Sequence, residues 1–95
     1  MIKITREQYD EYLKYALKEE KMVDILARAH NKVKNKIPES ISFRSYTVKH
    51  LLTRLRIIGK VDTDPIYLDY KDYETLERYK TYITLDDDSK SVKKK

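Results

Sequence analysis

The segment from Ser45 to Gly59 places the strongest constraint on how this chain can fold. Its apolar residues recur every three or four positions, which puts them on one face of a helix: Val48, Leu51, Leu52, Leu55 and Ile58. Ser45 is suited to the N-cap of this helix, and Gly59, the only glycine in the chain, to a left-handed C-terminal cap. The opposite face collects polar and basic residues: Tyr46, Lys49, His50, Thr53 and Arg56, with Arg54 at its edge. The pattern predicts an amphipathic helix with one buried and one exposed basic face.

A second helical region is predicted near the N-terminus. Thr5 and Gln8 have the spacing of a capping box, so the helix should begin at Arg6. Its first apolar stripe comprises Tyr9, Tyr12, Leu13, Ala16 and Leu17. A second stripe, offset by roughly 80° at 100° per residue, comprises Met22, Leu26, Ala29, Val33 and Ile37. The offset favours two helices with a break near residues 19–21, and one long helix whose buried face migrates around the axis is the alternative.

The rest of the chain is predicted to contain a loop, a β-hairpin and a last helix. Pro38 ends the preceding helix, and a loop continues through Ser42. Residues 60–62 and 66–70 read as the two strands of a hairpin around the turn at 63–65. Asp72 is suited to cap a helix over the following residues, although residues 79–85 could equally form a strand. We therefore predict one mainly α domain with a short β-hairpin (α+β) over residues 1–85, followed by a disordered, acidic-then-basic tail over 86–95.

The size and composition of the chain exclude several classes of function. With 95 residues, of which 40% are hydrophobic, the chain can build one small core but no deep active-site cleft. It has no cysteine and therefore no thiolate metal site or disulfide. Apolar runs are too short for a membrane span, and the N-terminus lacks the apolar region of a signal peptide. We expect an intracellular, cytoplasmic protein.

Chemistry-bearing residues are too sparse to indicate an enzyme. Neither His30 nor His50 has a carboxylate or another metal ligand three or four residues further on. One glycine cannot build a phosphate-binding loop. The aspartates at 62, 64, 69 and 72 could suggest Mg²⁺, but their spacing fits a turn and a helix cap at least as well. The sequence predicts no catalytic residue, no metal and no cofactor.

Charge is strongly segregated along the chain. Residues 28–60 contain nine basic side chains and one acidic, whereas residues 61–89 contain nine acidic and three basic. The flanking segments, 1–27 and 90–95, carry net charges of −1 and +4 and bring the total to +5. A basic block of this kind favours a polyanion, and nucleic acid is the commonest one inside cells. A solvated basic surface without a ligand is the alternative. The candidate nucleic-acid contacts are Arg28, Lys32, Lys36, Arg44, Tyr46, Lys49, His50, Thr53, Arg54, Arg56 and Lys60.

The order of the predicted elements resembles that of winged-helix domains, a helix-turn-helix class. The residues that carry the resemblance form the helix before the hairpin: Tyr46-Thr47-Val48-Lys49-His50-Leu51-Leu52-Thr53-Arg54-Leu55-Arg56-Ile57-Ile58-Gly59-Lys60-Val61. The motif is limited to residues 46–68. The resemblance implies that this helix is the recognition helix and that the hairpin is the wing. It also implies that the major groove is contacted by Tyr46, Lys49, His50 and Thr53. The phosphates would be contacted by Arg54, Arg56 and Lys60.

Three functions are compatible with these features. The first is a small DNA-binding protein, a transcriptional regulator that reads duplex DNA with residues 46–58 and forms a homodimer through its tyrosine-rich C-terminal helix. The second is a protein-interaction module or inhibitor, of the viral or plasmid type, that binds an acidic protein. The third is RNA or ribosome binding. Salt-dependent duplex binding, tight binding to one protein, and a preference for structured RNA would distinguish them.

Overall fold

A computed structural model describes residues 1–34, 36–61 and 65–83, without the side chains of Val33 and Lys34. The elements in chain order are β1 (Ile2–Ile4), α1 (Arg6–Lys34), α2 (Glu39–Gly59), β2 (Ile66–Leu68) and α3 (Tyr70–Tyr82). The described part of the chain is therefore mainly helical with a small antiparallel sheet. The predicted turn residues Asp62 and Asp64 and the predicted tail over 86–95 lie outside the described residues.

The first helix begins as predicted and continues without a break. The Gln8 N–H donates to Thr5 Oγ1 at 3.0 Å, and the Thr5 N–H donates to Gln8 Oε1 at 2.9 Å, which completes the capping box. The favoured division near residues 19–21 is wrong, because α1 is one helix of 29 residues. No glycine or proline interrupts it. Its buried face comprises Tyr9, Tyr12, Tyr15, Ala16, Glu19 and Val23.

The second helix begins seven residues earlier than predicted. Pro38 is its N-cap residue, with φ −57° and ψ 146°, and its carbonyl accepts hydrogen bonds from the N–H groups of Ile41 and Ser42. The predicted loop through Ser42 and the predicted N-cap at Ser45 are therefore wrong. Because proline has a φ angle that suits the start of a helix, Pro38 leads into α2, four residues after α1 ends at Lys34. The predicted apolar face of α2 is confirmed, because Val48, Leu51, Leu52 and Leu55 are buried and Ile58 packs partly buried against the core. Ile41, which was not predicted, is also buried.

Gly59 lies within α2 and is not a left-handed cap, which corrects the prediction. The end of α2 is instead capped from α1, because the Arg6 guanidinium donates to the carbonyls of Gly59 at 3.3 Å and Val61 at 2.7 Å. A side chain at position 59 would collide with Tyr9, since a Cβ there would lie 2.8 Å from Tyr9 Cζ. Glycine is thus required by a close approach between α1 and α2.

The sheet pairs the two strands that flank the helical hairpin. β1 and β2 are antiparallel in the register Ile2 to Leu68, Lys3 to Tyr67 and Ile4 to Ile66. The predicted hairpin between residues 60–62 and 66–70 is wrong, because β2 pairs with the N-terminal strand, whose three residues were too short a signal to predict. The alternation predicted for β2 is confirmed, with Ile66 and Leu68 buried and Tyr67 exposed.

The last helix, α3, continues through Tyr82. The sequence had left residues 79–85 open between helix and strand, and residues 79–82 are helical. Asp69 is its N-cap residue, which corrects the prediction that Asp72 caps it. Leu76 and Tyr79 lie on its buried face, and the core lies between the three helices with the sheet at one end. Helix α1 packs against both α2 and α3, and α3 reaches α2 through side chains such as the Asp72–Arg54 ion pair. The side of α2 that faces away from α1 stays exposed.

Candidate nucleic-acid interface and an adjacent groove

The uncovered side of α2, called here the outward face, lies opposite its buried leucines. It comprises Tyr46, Lys49, His50, Thr53, Arg56, Ile57 and Lys60, all of which are exposed. The rings of Tyr46 and His50 pack together with their centroids 4.2 Å apart. The predicted exposure of this face is confirmed, and no acidic residue occurs in the sequence between residues 40 and 61.

Lys49 lies at the edge of the outward face nearest α1. Its Nζ is 3.3 Å from a Glu20 carboxylate oxygen and 3.5 Å from an Asp24 carboxylate oxygen. Because all three side chains are solvent-accessible, such pairs contribute about 0 to 1 kcal/mol each. Lys49 can therefore exchange these partners for a phosphate at little cost.

Arg54, a predicted phosphate contact, forms a structural ion pair at the other edge of the face. Its Nε and Nη2 donate to the two oxygens of Asp72 at 2.9 and 2.7 Å. The Asp72 side chain is only 8% exposed, and its hydrogen bond raises the pKa of the Arg54 guanidinium. The pair joins α2 to α3. The sequence offered no separate signal for it, since an aspartate near a helix start also fits a cap.

Arg44, another predicted contact, points between the helices. Its Nε and Nη2 donate to the Glu19 carboxylate at 3.1 and 2.9 Å, and its guanidinium lies 5.9 Å from the centroid of the Tyr82 ring. Glu19 is 1% exposed, and its hydrogen bond raises the pKa of Arg44. One sequence signal could have revealed this pair. Glu19 lies three residues after Ala16 and four before Val23, so it occupies a buried position that requires a cationic partner.

The remaining predicted cations lie toward the two ends of α2. Arg28, Lys32 and Lys36 are near the turn between α1 and α2, whereas Arg56 and Lys60 are near the end of α2. All five are exposed. Within residues 1–34, 36–61 and 65–83, none of the four salt bridges involves any of these five side chains. These cations are therefore the ones most available to a polyanion.

A groove of about 550 Å³ opens between α2 and α3, and sequence reasoning did not find it. It is lined by Glu19, Met22, Phe43, Arg44, Thr47, Thr75, Arg78, Tyr79 and Tyr82. Tyr79 and Tyr82 pack edge to face with their ring centroids 6.0 Å apart. Burial and a hydrogen bond to Glu19 raise the pKa of Tyr82 to about 12, and burial also raises the pKa of Tyr79. The walls are mostly apolar, with two arginines among them.

Two of the four tyrosines of α3 pack against the same chain. Tyr79 is buried, and Tyr73 packs against the core, where its ring meets that of Tyr12 edge to face at 6.2 Å. Tyr70 and Tyr82 are exposed. A dimer contact through α3 would therefore have to use these two tyrosines.

The described residues hold no group of three or more histidine, cysteine or carboxylate side chains placed to bind a metal. No helix in that part of the chain is long and apolar enough to cross a membrane. No protein-family model matches the sequence, and neither a curated protein nor a solved structure matches it.

Proposed function

We propose that this protein binds duplex DNA through the outward face of α2. The observation that carries the proposal is an exposed helical face with polar side chains at its centre, cations toward its ends and no carboxylate between residues 40 and 61. The nearest carboxylates are Glu20 and Asp24 beside Lys49 and Glu39 at the first residue of α2, and the cations outnumber them. Phosphates can replace the weak acidic partners of Lys49, and counterions released from the duplex add favourable free energy.

The dimensions of α2 support the proposal. Its 21 residues extend about 32 Å at 1.5 Å per residue, and the major groove, about 12 Å wide, admits one α-helix. With the centre of the helix in the groove, Tyr46, His50 and Thr53 face base edges. Arg56 and Lys60 lie toward one phosphate backbone, and the cations near the α1–α2 turn lie toward the other. Ile57, 61% exposed, is suited to contact a thymine methyl group.

Of the resemblance to winged-helix domains only the helical part remains, and it implies that this helix is the recognition helix. The pairing of β2 with β1 leaves the wing without a counterpart among the described residues, so the proposed contact rests on the helix alone. A small DNA-binding protein without catalytic residues is suited to act as a transcriptional regulator. If it binds as a dimer, its site would be two-fold symmetric.

The test is fluorescence anisotropy with a labelled random-sequence duplex of about 20 base pairs, repeated from about 50 to 300 mM salt. With about four phosphate contacts, the slope of log K against log salt should be about −3.6, at about −0.9 per contact. The variant Arg56→Gln/Lys60→Gln removes two exposed cations of the outward face. Its slope should be smaller by about 1.8.

A matched control separates the proposed face from overall charge. Lys14→Gln/Lys80→Gln also removes two exposed cations, but from α1 and α3, and should leave the slope unchanged. Equal losses in both double variants would show that the charge acts non-specifically and would refute the assignment to α2. Preference for a structured RNA over the duplex would replace the proposal with RNA binding.

A further inference from the structure

An apolar stripe on α1 continues beyond the region that α3 covers. The sequence pattern predicted that the second stripe of α1 would face a core, yet Leu26 is 36% exposed and Ala29 is also exposed. Met22, at the start of this stripe, packs partly against the core and lines the α2–α3 groove. The stripe and the groove are therefore one continuous surface.

Phe43 is the most exposed wall of this surface. It projects from the first turns of α2 with 68% of its area accessible, whereas the next groove residues, Tyr79 and Tyr82, pack against each other. Isolated apolar residues on a surface need no explanation. A contiguous apolar patch with a phenylalanine beside a groove indicates an interaction site. The docking surface is defined here as Met22, Leu26, Phe43, Tyr79 and Tyr82.

The rim of the docking surface is positively charged. Arg78 lines the groove, and no salt bridge within the described ranges involves it. Glu19, the carboxylate in the groove, is already paired with Arg44. On α1, Lys18 lies one turn before Met22 on the same face and is partly exposed, and no salt bridge in the described part of the chain involves it. Two copies joined at this surface would bring their cations together, so like charges oppose a homodimer here.

We propose that the docking surface binds an amphipathic helix of another protein whose apolar stripe is flanked by glutamates or aspartates. Its apolar side chains would enter the groove between Phe43 and Tyr82. Its carboxylates would pair with Arg78 and with Lys18 of α1. This is the helix-in-groove mode, in which anchors at i, i+3 or i+4 and i+7 contact one apolar cleft.

The length of the surface fits two turns of such a helix. Met22 and Ala29 are seven residues apart on α1, which corresponds to about 10 Å at 1.5 Å per residue. Anchors at i and i+7 of a bound helix span the same distance. The site is separate from the outward face of α2, so the inference does not depend on DNA binding.

The test uses a capped, fluorescein-labelled peptide of about five helical turns, with leucine at the i, i+4, i+7 and i+11 positions and glutamate on both flanks. Fluorescence anisotropy with the full chain should give saturable binding. The variant Phe43→Ser should weaken binding at least tenfold, because it removes the exposed aromatic wall. Tyr67→Ser, which truncates a 53% exposed tyrosine on β2, is the matched control and should leave the affinity unchanged.

The contribution of the peptide's negative charge to binding is tested with a second peptide that has lysine in place of every glutamate. It should bind at least tenfold more weakly than the acidic peptide. No saturable binding of the acidic peptide up to about 1 mM, near −4.1 kcal/mol, would overturn the inference, as would equal binding of both peptides. A dimer detected by sedimentation and abolished by Phe43→Ser would also overturn it, since the occupant would then be a second copy. Arg56→Gln/Lys60→Gln should leave peptide binding unchanged, which distinguishes this site from the proposed DNA interface.

Discussion

Replacement of Gly59 by alanine is expected to destabilise the protein, against the usual trend for helices. Alanine within a helix is normally favoured over glycine by about 1 kcal/mol. Here the added Cβ would lie 2.8 Å from Tyr9 Cζ and closer still to the hydroxyl oxygen. Tyr9 cannot move freely, because its ring is 5% exposed and its hydroxyl donates to the Leu55 carbonyl at 2.6 Å.

The magnitude follows from what must be displaced. Moving the Tyr9 ring loses a buried hydrogen bond, which costs about 1 kcal/mol. Overpacking the contact between α1 and α2 costs about 1 to 3 kcal/mol more. After subtraction of the gain of about 1 kcal/mol in helix propensity, the free energy of unfolding should fall by about 1 to 3 kcal/mol. For a chain of this size each 1 kcal/mol lowers Tm by about 4 to 8 °C.

The assay is urea and thermal unfolding followed by circular dichroism, applied to a double-mutant cycle. Tyr9→Leu removes the ring that occupies the space, so Gly59→Ala in that background should be neutral or stabilising. The coupling between the two positions should reach at least about 1 kcal/mol. Gly59→Asn provides a further comparison, because asparagine tolerates a left-handed cap but carries the same Cβ.

Two results would refute this reasoning. Gly59→Ala could leave the protein as stable as before or make it more stable, which would mean that the close approach is absent. Alternatively, alanine could cost the same in the tyrosine and leucine backgrounds while asparagine is tolerated. That pattern would restore the left-handed cap predicted from the sequence.

Two further predictions concern the groups that join the helices. Arg54→Gln should lower the free energy of unfolding by about 1 to 3 kcal/mol, because it leaves the buried Asp72 carboxylate without its cation. Lys49→Gln, which removes an exposed ion pair, should lower the free energy of unfolding by less than about 1 kcal/mol in the same urea denaturation assay. Equal losses in the two variants would contradict the distinction between the buried pair and the exposed pair. Because the pKa of Tyr82 is raised above its ordinary value of 10.0 to about 12, the unfolded chain loses this proton at lower pH than the folded one. Stability should therefore hold below pH 10 and decline as the pH rises toward 12, and Tyr82→Phe should reduce that decline in unfolding curves measured across this range.

Features that depend on neighbours in the chain were predictable. The apolar face of α2 followed from residues three and four apart, and the start of α1 followed from the Thr5 and Gln8 capping box. The alternation of Ile66, Tyr67 and Leu68 likewise identified β2. Each signal lies within a few residues, and the physical interaction that it reports, burial of one face or a local hydrogen bond, acts over the same distance.

Features that depend on distant residues were not predictable. Gly59 fitted a helix cap until Tyr9, 50 residues earlier, was found in contact with it, and Asp72 fitted a cap until Arg54 was found beside it. A glycine or an aspartate satisfies several local roles equally well. The choice between them is made by the group that lies opposite in the folded chain.

Local patterning along the chain thus determined that it would form amphipathic helices with a predominantly basic exposed face on α2. Packing decided which cations remain available on that face, because Arg44 and Arg54 are taken up by carboxylates from α1 and α3. It also decided that β2 pairs with β1, and that part of the apolar stripe of α1 stays uncovered beyond α3. Periodicity specifies which residues share a face, whereas the length and placement of the neighbouring helices specify which faces are covered.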